Sequence, residues 1–351
     1  MKLAEFDYTL PGELIAQYPA DTRGADRLLV LERPKNSFEE KKFEDIVSYF
    51  RKDDLLVLND TKVIPARLFG KRETGGRVEI FILERDKNPV EALVRPGGRI
   101  KDGEVITLES GDKARIGKRH EIGRFVEFER STAEILKDCG HVPLPPYISR
   151  SDEERDRERY QTIYAGKEGA TASHTAGLHF TDGIFEKLKE KGVKLAYVTL
   201  HVSYGTFAPV KEEIVEEHRM HSEFYSISKE NAIMINEACG KKARVFACGT
   251  TSLRALETCA DELTSSAYGV DTRVDLVGRR KGLEGFTSLY VYPGYKFRVV
   301  NALITNFHLP KSTLLLLTSA FAGKELLFKA YDYAIRDSFR FFSYGDAMLI
   351  L

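Results

Sequence analysis

The sequence predicts an α/β main domain into which a small antiparallel β domain, a barrel or a sandwich, is inserted. Apolar runs alternate with segments of helical periodicity at both ends of the chain, which is typical of strands and helices in one layered domain. Between these parts, short alternating runs are separated by glycine turns and show little helical pattern. We therefore predict a discontinuous α/β domain formed by residues 1–62 and 144–351, with residues 63–143 as the inserted domain.

The N-terminal part contains two strand signals with a helical signal between them. Residues 28–31 and 55–58 are short apolar runs, which we interpret as buried strands. Between them, four apolar residues have helical spacing: Phe43, Ile46, Val47 and Phe50. The second strand ends at Asn59-Asp60-Thr61. After this point, short alternating runs separated by turns replace the mixed strand and helix pattern.

The inserted segment is recognised by its short, regularly interrupted runs. These cover residues 78–83, 90–94, 104–108 and 124–128, and glycine pairs or Asp-Gly turns stand between them. Such spacing is typical of a small all-β unit. The proline-rich residues 143–148 then form a stiff extended exit.

After this exit the α/β pattern returns. Strands are predicted at residues 193–200, 245–248 and 298–304. Helices are predicted at residues 185–191, at 230–239, from 253 onward, and at 313–328 with a break at Gly323.

Composition restricts the functional class. The chain has 351 residues, of which 42% are apolar and 30% charged, and its 53 basic and 53 acidic residues give zero formal charge. That balance argues against a non-specific polyanion binder but allows a local basic patch. The four cysteines form no CxxC pair, so we expect no thiolate zinc site and a reduced, cytoplasmic setting. The first residues lack a signal-peptide core, and the most apolar run, residues 314–322, is shorter than the ~20 residues that cross a bilayer, so we expect no membrane association.

Three histidine-bearing segments carry the strongest chemical signal. Residues 171–181 contain two histidines and four hydroxyl residues, and a strand end here would place His179 and Thr181 on one side. A histidine also follows an apolar run at His201, within residues 199–207, and at His308, within residues 306–310. Polar side chains that follow the ends of several strands lie close together when the strands share a sheet edge. The pattern therefore predicts one site at that edge.

Two predicted helix starts suit an anion. Gly249-Thr250-Thr251-Ser252 follows a strand, and Pro310-Lys311-Ser312-Thr313 adds a cation to a similar pattern. Free N–H groups and the positive end of the helix dipole would bind a carboxylate or phosphate there. Plain N-capping by the hydroxyls is the simpler interpretation and stays open.

His218, His221 and Glu223 have spacing that a metal site could use, with His179 or His201 completing the set. Their pattern is no recognised zinc signature, and an acid/base histidine oriented by Glu223, or a solvated loop, explains it as well. No metal is expected. GxGxxG, GxxxxGK[ST] and GxSxG are all absent, which argues against a Rossmann dinucleotide site, a P-loop and an α/β-hydrolase.

Taken together, several segments make the chain resemble the S-adenosylmethionine:tRNA ribosyltransferase-isomerase family of queuosine biosynthesis over its whole length. The matching segments include Asn59-Asp60-Thr61, Val142-Pro143-Leu144-Pro145-Pro146-Tyr147, Thr175-Ala176-Gly177-Leu178-His179-Phe180-Thr181, Thr199-Leu200-His201-Val202, His218-Arg219-Met220-His221-Ser222-Glu223, Gly249-Thr250-Thr251-Ser252-Leu253-Arg254, Thr305-Asn306-Phe307-His308-Leu309-Pro310-Lys311-Ser312-Thr313 and Phe342-Ser343-Tyr344-Gly345-Asp346. The chain departs from the family pattern at Ser173-His174, where Ala-Pro is usual, and at Ser203, where Gly is usual. His174 thereby adds a titratable group that the family pattern lacks.

The resemblance implies an α/β main domain with a mixed sheet and an inserted small antiparallel β-barrel. It implies transfer of the ribosyl part of S-adenosylmethionine, as co-substrate, to the aminomethyl group of a 7-deazaguanine in tRNA. The sugar is isomerised to an epoxycyclopentane, giving epoxyqueuosine-tRNA, and adenine and methionine are released. The expected partners are S-adenosylmethionine and the tRNA anticodon region, and the expected state is a cytoplasmic monomer.

Roles for individual residues follow as hypotheses. The sulfonium acidifies the C5′ hydrogens, so a base is needed, and loss of adenine needs an acid. His179 or His201 is the expected base, and Asp60 or His308 the expected acid. Tyr204, Phe207 or Tyr344 could face the sulfonium or stack on a base. For S-adenosylmethionine the expected binding residues are Thr250, Thr251, Arg254, Ser312, Thr313 and Tyr344. For tRNA they are Arg23, Arg27, Arg67, His218, His221, Glu223, Asn306 and Lys311.

Two other classes stay open. A histidine-cluster metal hydrolase, such as a nuclease, would be inactivated by chelation, whereas ribosyl transfer has no evident need for a metal. A non-catalytic RNA-binding module would keep its tRNA affinity after His179→Ala and would release no adenine.

Overall fold

A computed structural model describes residues 1–83, 85, 87–120, 123–202, 210–264 and 282–351. Its main bodies are a nine-stranded mixed sheet flanked by helices and a closed six-stranded antiparallel barrel. A separate two-stranded pair lies between them in the chain. The fold class predicted from the sequence is confirmed. Of the two alternatives for the inserted domain, the barrel is confirmed and the sandwich is wrong.

The strands of the described residues are numbered along the chain. They are β1 Arg27–Glu32, β2 Ser37–Lys42, β3 Leu55–Asn59, β4 Thr61–Val63, β5 Arg67–Arg72, β6 Arg77–Ile82, β7 Val90–Arg95, β8 Val105–Leu108, β9 Lys113–Arg119, β10 Arg124–Phe128, β11 Lys167–Ala170, β12 Lys194–Leu200, β13 Glu223–Ile227, β14 Val245–Cys248, β15 Leu283–Thr287, β16 Ala302–Asn306 and β17 Ala347–Ile350.

The α-helices of the described residues are numbered likewise. They are α1 Thr132–Cys139, α2 Glu154–Arg159, α3 Asp182–Glu190, α4 Lys229–Gly240, α5 Gly249–Thr258, α6 Ala260–Thr264, α7 Thr313–Ala322 and α8 Lys324–Arg336. Short 3₁₀ helices cover Leu3–Phe6, Gly12–Leu14, Arg33–Lys35, Phe43–Tyr49, Thr175–His179 and Val215–Glu217.

The large sheet has the strand order β15-β13-β12-β3-β14-β16-β17-β1-β2. Its centre is parallel, since β12, β3, β14 and β16 pair side by side in the same direction. The pairs β16–β17, β1–β2, β12–β13 and β13–β15 are antiparallel, whereas β17 and β1 pair in parallel. The carboxyl ends of the four central strands therefore meet at one edge of the sheet.

Both faces of this sheet are buried, which explains the continuous apolar runs. In β3, Leu55 and Val57 pack on the face that α4, α5 and α7 cover, whereas Leu56 and Leu58 pack on the opposite face with Phe43 and residues of α3. Burying each such side chain contributes roughly 1.5–3 kcal/mol. The sheet is thus a rigid frame for the loops at its edge.

The barrel has the strand order β10-β7-β6-β5-β8-β9 and a core of its own. Residues that alternate along its strands point inward, such as Val78, Ile80 and Ile82 in β6. Its strands begin at Arg67 and end at Phe128. The domain limits at residues 63 and 143 remain a prediction.

Most element predictions agree with the structure, and the differences have local causes. The helical spacing at residues 43–50 forms a 3₁₀ helix. The helix predicted from residue 253 begins at Gly249, and the strand predicted at residues 298–304 lies at Ala302–Asn306. The break at Gly323 divides α7 from α8 because Gly323 has φ +84°. Among the described residues no helix is long and apolar enough to cross a membrane.

Candidate active site

Candidate residues from four separate segments meet at the carboxyl edge of the large sheet. Asp60 follows β3, His201 follows β12, α5 begins directly after β14, and Asn306 ends β16. The strand expected at His179 is wrong: Thr175–His179 is a 3₁₀ helix that packs against β16 at the same edge. The chain then continues into α3 at Asp182.

A cavity of about 180 Å³ opens at this edge. Apolar side chains form much of its wall, among them Phe307, Leu309 and Phe342. The polar residues that line it are Tyr147, Ser173, His174, Thr175, Thr250, Thr251, Thr305, Asn306, His308, Lys311, Ser312 and Ser343. A mostly apolar hollow with a few polar groups is the usual form of a small-molecule site.

The start of α5 forms one wall of the cavity. Gly249 has φ +87°, which admits the sharp turn out of β14, and no side chain caps the helix. Thr250 and Thr251 are both buried, and the Oγ1 of Thr251 has no hydrogen-bond partner within the described chain. The first N–H groups of a helix have no intrahelical acceptor, so this end is open to an anionic group.

The start of α7 forms another wall and is more fully satisfied. Ser312 is its N-cap, accepting from the Leu315 N–H at 3.2 Å and donating to the Leu309 carbonyl at 2.7 Å. Lys311 lines the cavity and pairs with Asp7 at 2.5 Å. Thr313 is buried in the first turn. Plain capping, which the sequence left open, therefore accounts for Ser312.

His179 is held in a buried chain of charged and polar groups. Its Nδ1 bonds to Asp26 at 2.7 Å, and Asp26 also accepts from Arg340 at 2.6 Å. Burial alone would raise the Asp26 pKa, but His179 and Arg340 outweigh it, so the pKa is lowered and the group is a carboxylate.

The other ring nitrogen of His179 faces Asn306. The Asn306 amide donates to Nε2 at 3.1 Å, which fixes the tautomer with the proton on Nδ1. The Asn306 Oδ1 accepts from Thr175 at 3.0 Å, and both of these residues line the cavity. His179 itself is not among the residues that line the cavity, and its contact with a lining residue is the one to Asn306.

His308 lines the cavity as a neutral imidazole. Its Nε2 bonds to the Thr305 hydroxyl at 2.7 Å, and its backbone is held by the Tyr331 and Tyr8 hydroxyls. Burial lowers the pKa of His308 to about 3. A histidine with this pKa is rarely protonated near neutral pH, which makes it a poor reservoir of protons.

Asp60 and His201 form a second polar group, on the neighbouring strands β3 and β12. Asp60 accepts from the Thr199 hydroxyl at 2.6 Å, and His201 Nδ1 bonds to the Thr61 hydroxyl at 2.7 Å. Burial raises the pKa of Asp60 although Thr199, Lys167 and His201 oppose it. Burial lowers the pKa of His201, opposed by Asp60. A carboxyl and an imidazole with pKa values shifted by burial at one sheet edge are candidates for acid/base roles.

In residues 218–223, His218 and Glu223 bind other side chains of the protein. The Glu223 carboxylate accepts from the Arg254 guanidinium, and both side chains are buried. His218 bonds to Glu212 at 2.8 Å, and His221 is exposed. Within the described ranges no group of three or more His, Cys, Asp or Glu side chains could hold a metal ion.

Three arginines and a tyrosine that the sequence suggested for ligands make structural contacts. Arg23 donates to the Leu178 and Gln161 carbonyls, Arg27 pairs with Glu40, and Arg67 pairs with Glu79. Tyr344 is buried and donates to Asp156 at 2.8 Å. Ser203, Tyr204 and Phe207 lie outside the described residues.

The sequence assigned no role to His174 or Asp26. His174 lines the cavity, its side chain is buried, and neither ring nitrogen has a hydrogen bond within the described chain. Burial lowers the pKa of His174 to about 4, opposed in part by the nearby carbonyls of Asn59 and of its own backbone. The departure of Ser173-His174 from the family pattern was the signal for it. Asp26 lies 153 positions before His179, and no local pattern marks it.

Comparison with known proteins gives full-length matches. A family model described as "Queuosine biosynthesis protein" matches residues 3–350. The S-adenosylmethionine:tRNA ribosyltransferase-isomerases of a Sulfurihydrogenibium species and of Halothermothrix orenii are 46% and 48% identical, each over the whole of both chains. The crystal structure of S-adenosylmethionine tRNA ribosyltransferase from Thermotoga maritima is 36% identical, with a TM-score of 0.53, and the match covers 99% of this chain and 100% of that one.

Proposed function

The chain belongs to the S-adenosylmethionine:tRNA ribosyltransferase-isomerase family of queuosine biosynthesis, and from this premise we propose the reaction that it catalyses. The ribosyl group of S-adenosylmethionine is transferred to the aminomethyl-7-deazaguanine of tRNA and isomerised, giving epoxyqueuosine-tRNA, adenine and methionine. The observation that carries this proposal is the 46–48% identity over the full length of both chains. The proposed setting is a cytoplasmic monomer that needs no metal.

The bond changes set what the side chains must do. A base takes a C5′ proton next to the sulfonium. Adenine leaves with the electron pair of its glycosidic bond and takes up a proton, and methionine leaves with the pair of its sulfur–carbon bond. The C5′ electron pair forms the carbon–carbon bond to C1′ that closes the cyclopentane, and C1′ loses both adenine and the ring oxygen. That oxygen forms the epoxide bond to C5′ as methionine leaves, and the tRNA amine forms the new nitrogen–carbon bond at C1′ and loses a proton. One base and one acid placed beside the ribose therefore cover the proton transfers.

We assign these roles to the pair on β3 and β12. His201 is the proposed base, because burial lowers its pKa, and Asp60 is the proposed acid, because burial raises its pKa. His179 is proposed as a positioning residue, since Asp26 and Asn306 occupy both its nitrogens. His308, with a pKa of about 3, is assigned to binding.

The substrate would bridge the cavity and this pair. The cavity lies at the start of α5, which follows β14, and β3 separates β14 from β12. Neighbouring strands are about 4.8 Å apart, so the distance across β3 is about 10 Å. An extended nucleoside with an amino-acid arm can span it, with the arm in the cavity and the ribose beside His201 and Asp60.

The tRNA anticodon base must leave its stack to reach a site at the sheet edge. We propose that the barrel contacts the tRNA backbone while the sheet edge holds the reacting base. Arg67, on the first barrel strand, and Lys311, at the cavity, are proposed to border that path.

The test is release of free adenine. The protein is incubated with S-adenosylmethionine and tRNA that carries the aminomethyl precursor, and matched tRNA with ordinary guanine serves as control. We expect one adenine per modified tRNA, with precursor tRNA only, and no loss of activity in excess chelator. Absence of adenine, or equal release with control tRNA, would overturn the proposal, and inactivation by chelator would favour a metal hydrolase.

A further inference from the structure

We infer that the cavity at the start of α5 binds the α-amino-acid end of the small substrate, and that His174 and Thr251 are its specific contacts. This inference rests on the proposed function, because it assigns one part of S-adenosylmethionine to one part of the site. It names two residues outside the acid/base pair that would decide which sulfonium substrates are accepted.

His174 is the first observation. Its side chain is 5% exposed, lines the cavity, and stacks on Tyr164 with ring centroids 5.8 Å apart. Both ring nitrogens lack a hydrogen-bond partner in the described part of the chain. Buried polar groups are nearly always paired, and the nearby carbonyls of Asn59 and of His174 itself act on the ring only outside hydrogen-bond geometry, so the ring keeps a nitrogen free for a ligand.

Thr251, which also lines the cavity, is an independent observation. It is 7% exposed, and its Oγ1 also lacks a partner in the ranges described. It stands in the first turn of α5, a helix of 10 residues whose amino end carries unpaired N–H groups and the positive end of the dipole. A hydroxyl and backbone N–H groups at this position form an acceptor site for anionic oxygen.

The charge of the wall agrees with an anionic group. Among the described residues that line the cavity there is no Asp or Glu, and the Lys311 cation there is paired with Asp7, which is not a lining residue. A phosphodiester of RNA carries a nucleotide on each side, which a mostly apolar cavity of about 180 Å³ does not accommodate. A terminal carboxylate enters it without this difficulty.

His174 suits the ammonium next to that carboxylate. A neutral imidazole presents one donor and one acceptor. The donor matches a carboxylate oxygen, and the acceptor matches an α-ammonium group. Because burial holds the pKa of His174 near 4, the ring is neutral under ordinary assay conditions and offers both.

The experiment compares S-adenosylmethionine with its decarboxylated counterpart as substrates, through kcat/KM for adenine release. We expect the wild type to prefer the carboxylated substrate. His174→Ala and Thr251→Val should each reduce this preference on the order of tenfold, mainly through KM for the carboxylated substrate. His174→Gln, which keeps one donor and one acceptor, should restore part of it.

His120→Ala is the matched control, since His120 lies on the barrel and pairs with Glu91. It should leave the preference unchanged. If both cavity variants alter the two substrates equally, the amino-acid assignment is wrong while the proposed function stands. If the wild type releases no adenine from either substrate, the proposed function itself fails. Circular dichroism checks folding, and should His174→Ala be unfolded, Thr251→Val decides.

Discussion

The pKa of Asp60 is subject to two opposing effects of its surroundings. Burial raises its pKa, while the Thr199 hydroxyl, at 2.6 Å, stabilises the carboxylate and lowers it. A general acid is active when protonated, so activity that depends on Asp60 should fall as pH rises through its pKa. If Asp60 is the acid, as proposed, the Thr199 hydrogen bond shifts the high-pH limb of the pH–activity profile to lower pH than burial alone would give.

Thr199→Val should move this limb to higher pH. The change removes the hydrogen bond to the carboxylate and keeps the side-chain shape. The Asp60 pKa therefore rises further, and the acid stays protonated up to a higher pH. The measurement is kcat/KM for adenine release against pH. Thr318→Val is the control, because that hydroxyl is also buried but bonds only to the Leu314 carbonyl of its own helix. A limb that stays in place, or moves to lower pH, would remove Asp60 as the acid.

Histidines that look alike in the sequence have different environments. His179 stands in the densest polar motif, yet Asp26 and Asn306 occupy its nitrogens. His308 and His174 line the cavity with lowered pKa values, and His201 shares a polar group with Asp60. Residue type and spacing could nominate these side chains, but burial and partners distinguish their roles.

At the scale of elements, the sharpest feature is the turn from β14 into α5. Gly249 has φ +87°, a conformation that a side chain disfavours by about 1–2 kcal/mol per residue. The turn aims the first N–H groups of α5 at the cavity. The helix start was predicted four residues later because Gly and Thr are weak helix formers, and here they serve the turn and the first helical turn instead.

Gly249→Ala should lower the free energy of unfolding by about 1–2 kcal/mol and raise KM for S-adenosylmethionine. The stability loss follows from the strained backbone, and the KM change from a displaced helix start. Urea denaturation and steady-state kinetics measure the two effects. Gly12→Ala is the control, since a Cβ there meets nothing within 4 Å. Wild-type stability and KM in Gly249→Ala would contradict this account of the turn.

At the scale of the whole molecule, His141 joins the barrel to the main domain. Its ring bonds to Glu109, directly after β8, at 2.9 Å and to Asp152, before α2, at 2.8 Å. Burial lowers the His141 pKa, but the two carboxylates outweigh it, so the pKa is raised. A raised folded-state pKa gives stability that is complete below the unfolded value, about 6.5, and is lost as pH rises through the folded value.

His141→Gln should therefore remove a pH-dependent part of the stability. We expect the free energy of unfolding to fall more in the wild type than in the variant as the pH is raised from about 6 to about 8. Urea denaturation midpoints measure this difference. The effect is modest because His141 and Glu109 are 32% and 55% exposed. His120→Gln, whose carboxylate partner Glu91 is on the same barrel, is the control. Parallel pH profiles for wild type and His141→Gln would show that this contact does not link the domains energetically.

The barrel and the α/β frame were accessible from local pattern, since periodicities of two and of 3.6 residues arise from backbone geometry within a few positions. The alternation in β6 and the glycine turns predicted the small β domain, and the apolar runs predicted the central strands. The strands β13, β15 and β17 and the 3₁₀ helix at His179 escaped this reasoning, because short irregular segments are decided by what packs on them.

The amino-acid sequence by itself determined the two kinds of domain, the order of the central elements and the segments that carry chemistry. Tertiary structure decided which of these side chains reach the cavity. The deciding contacts join distant positions, as in His179 with Asp26, Asn306 with His179, and Thr61 with His201. The physical reason is that local backbone preferences act over a few residues, whereas desolvation and hydrogen-bond partners depend on chain segments that only the folded sheet brings together.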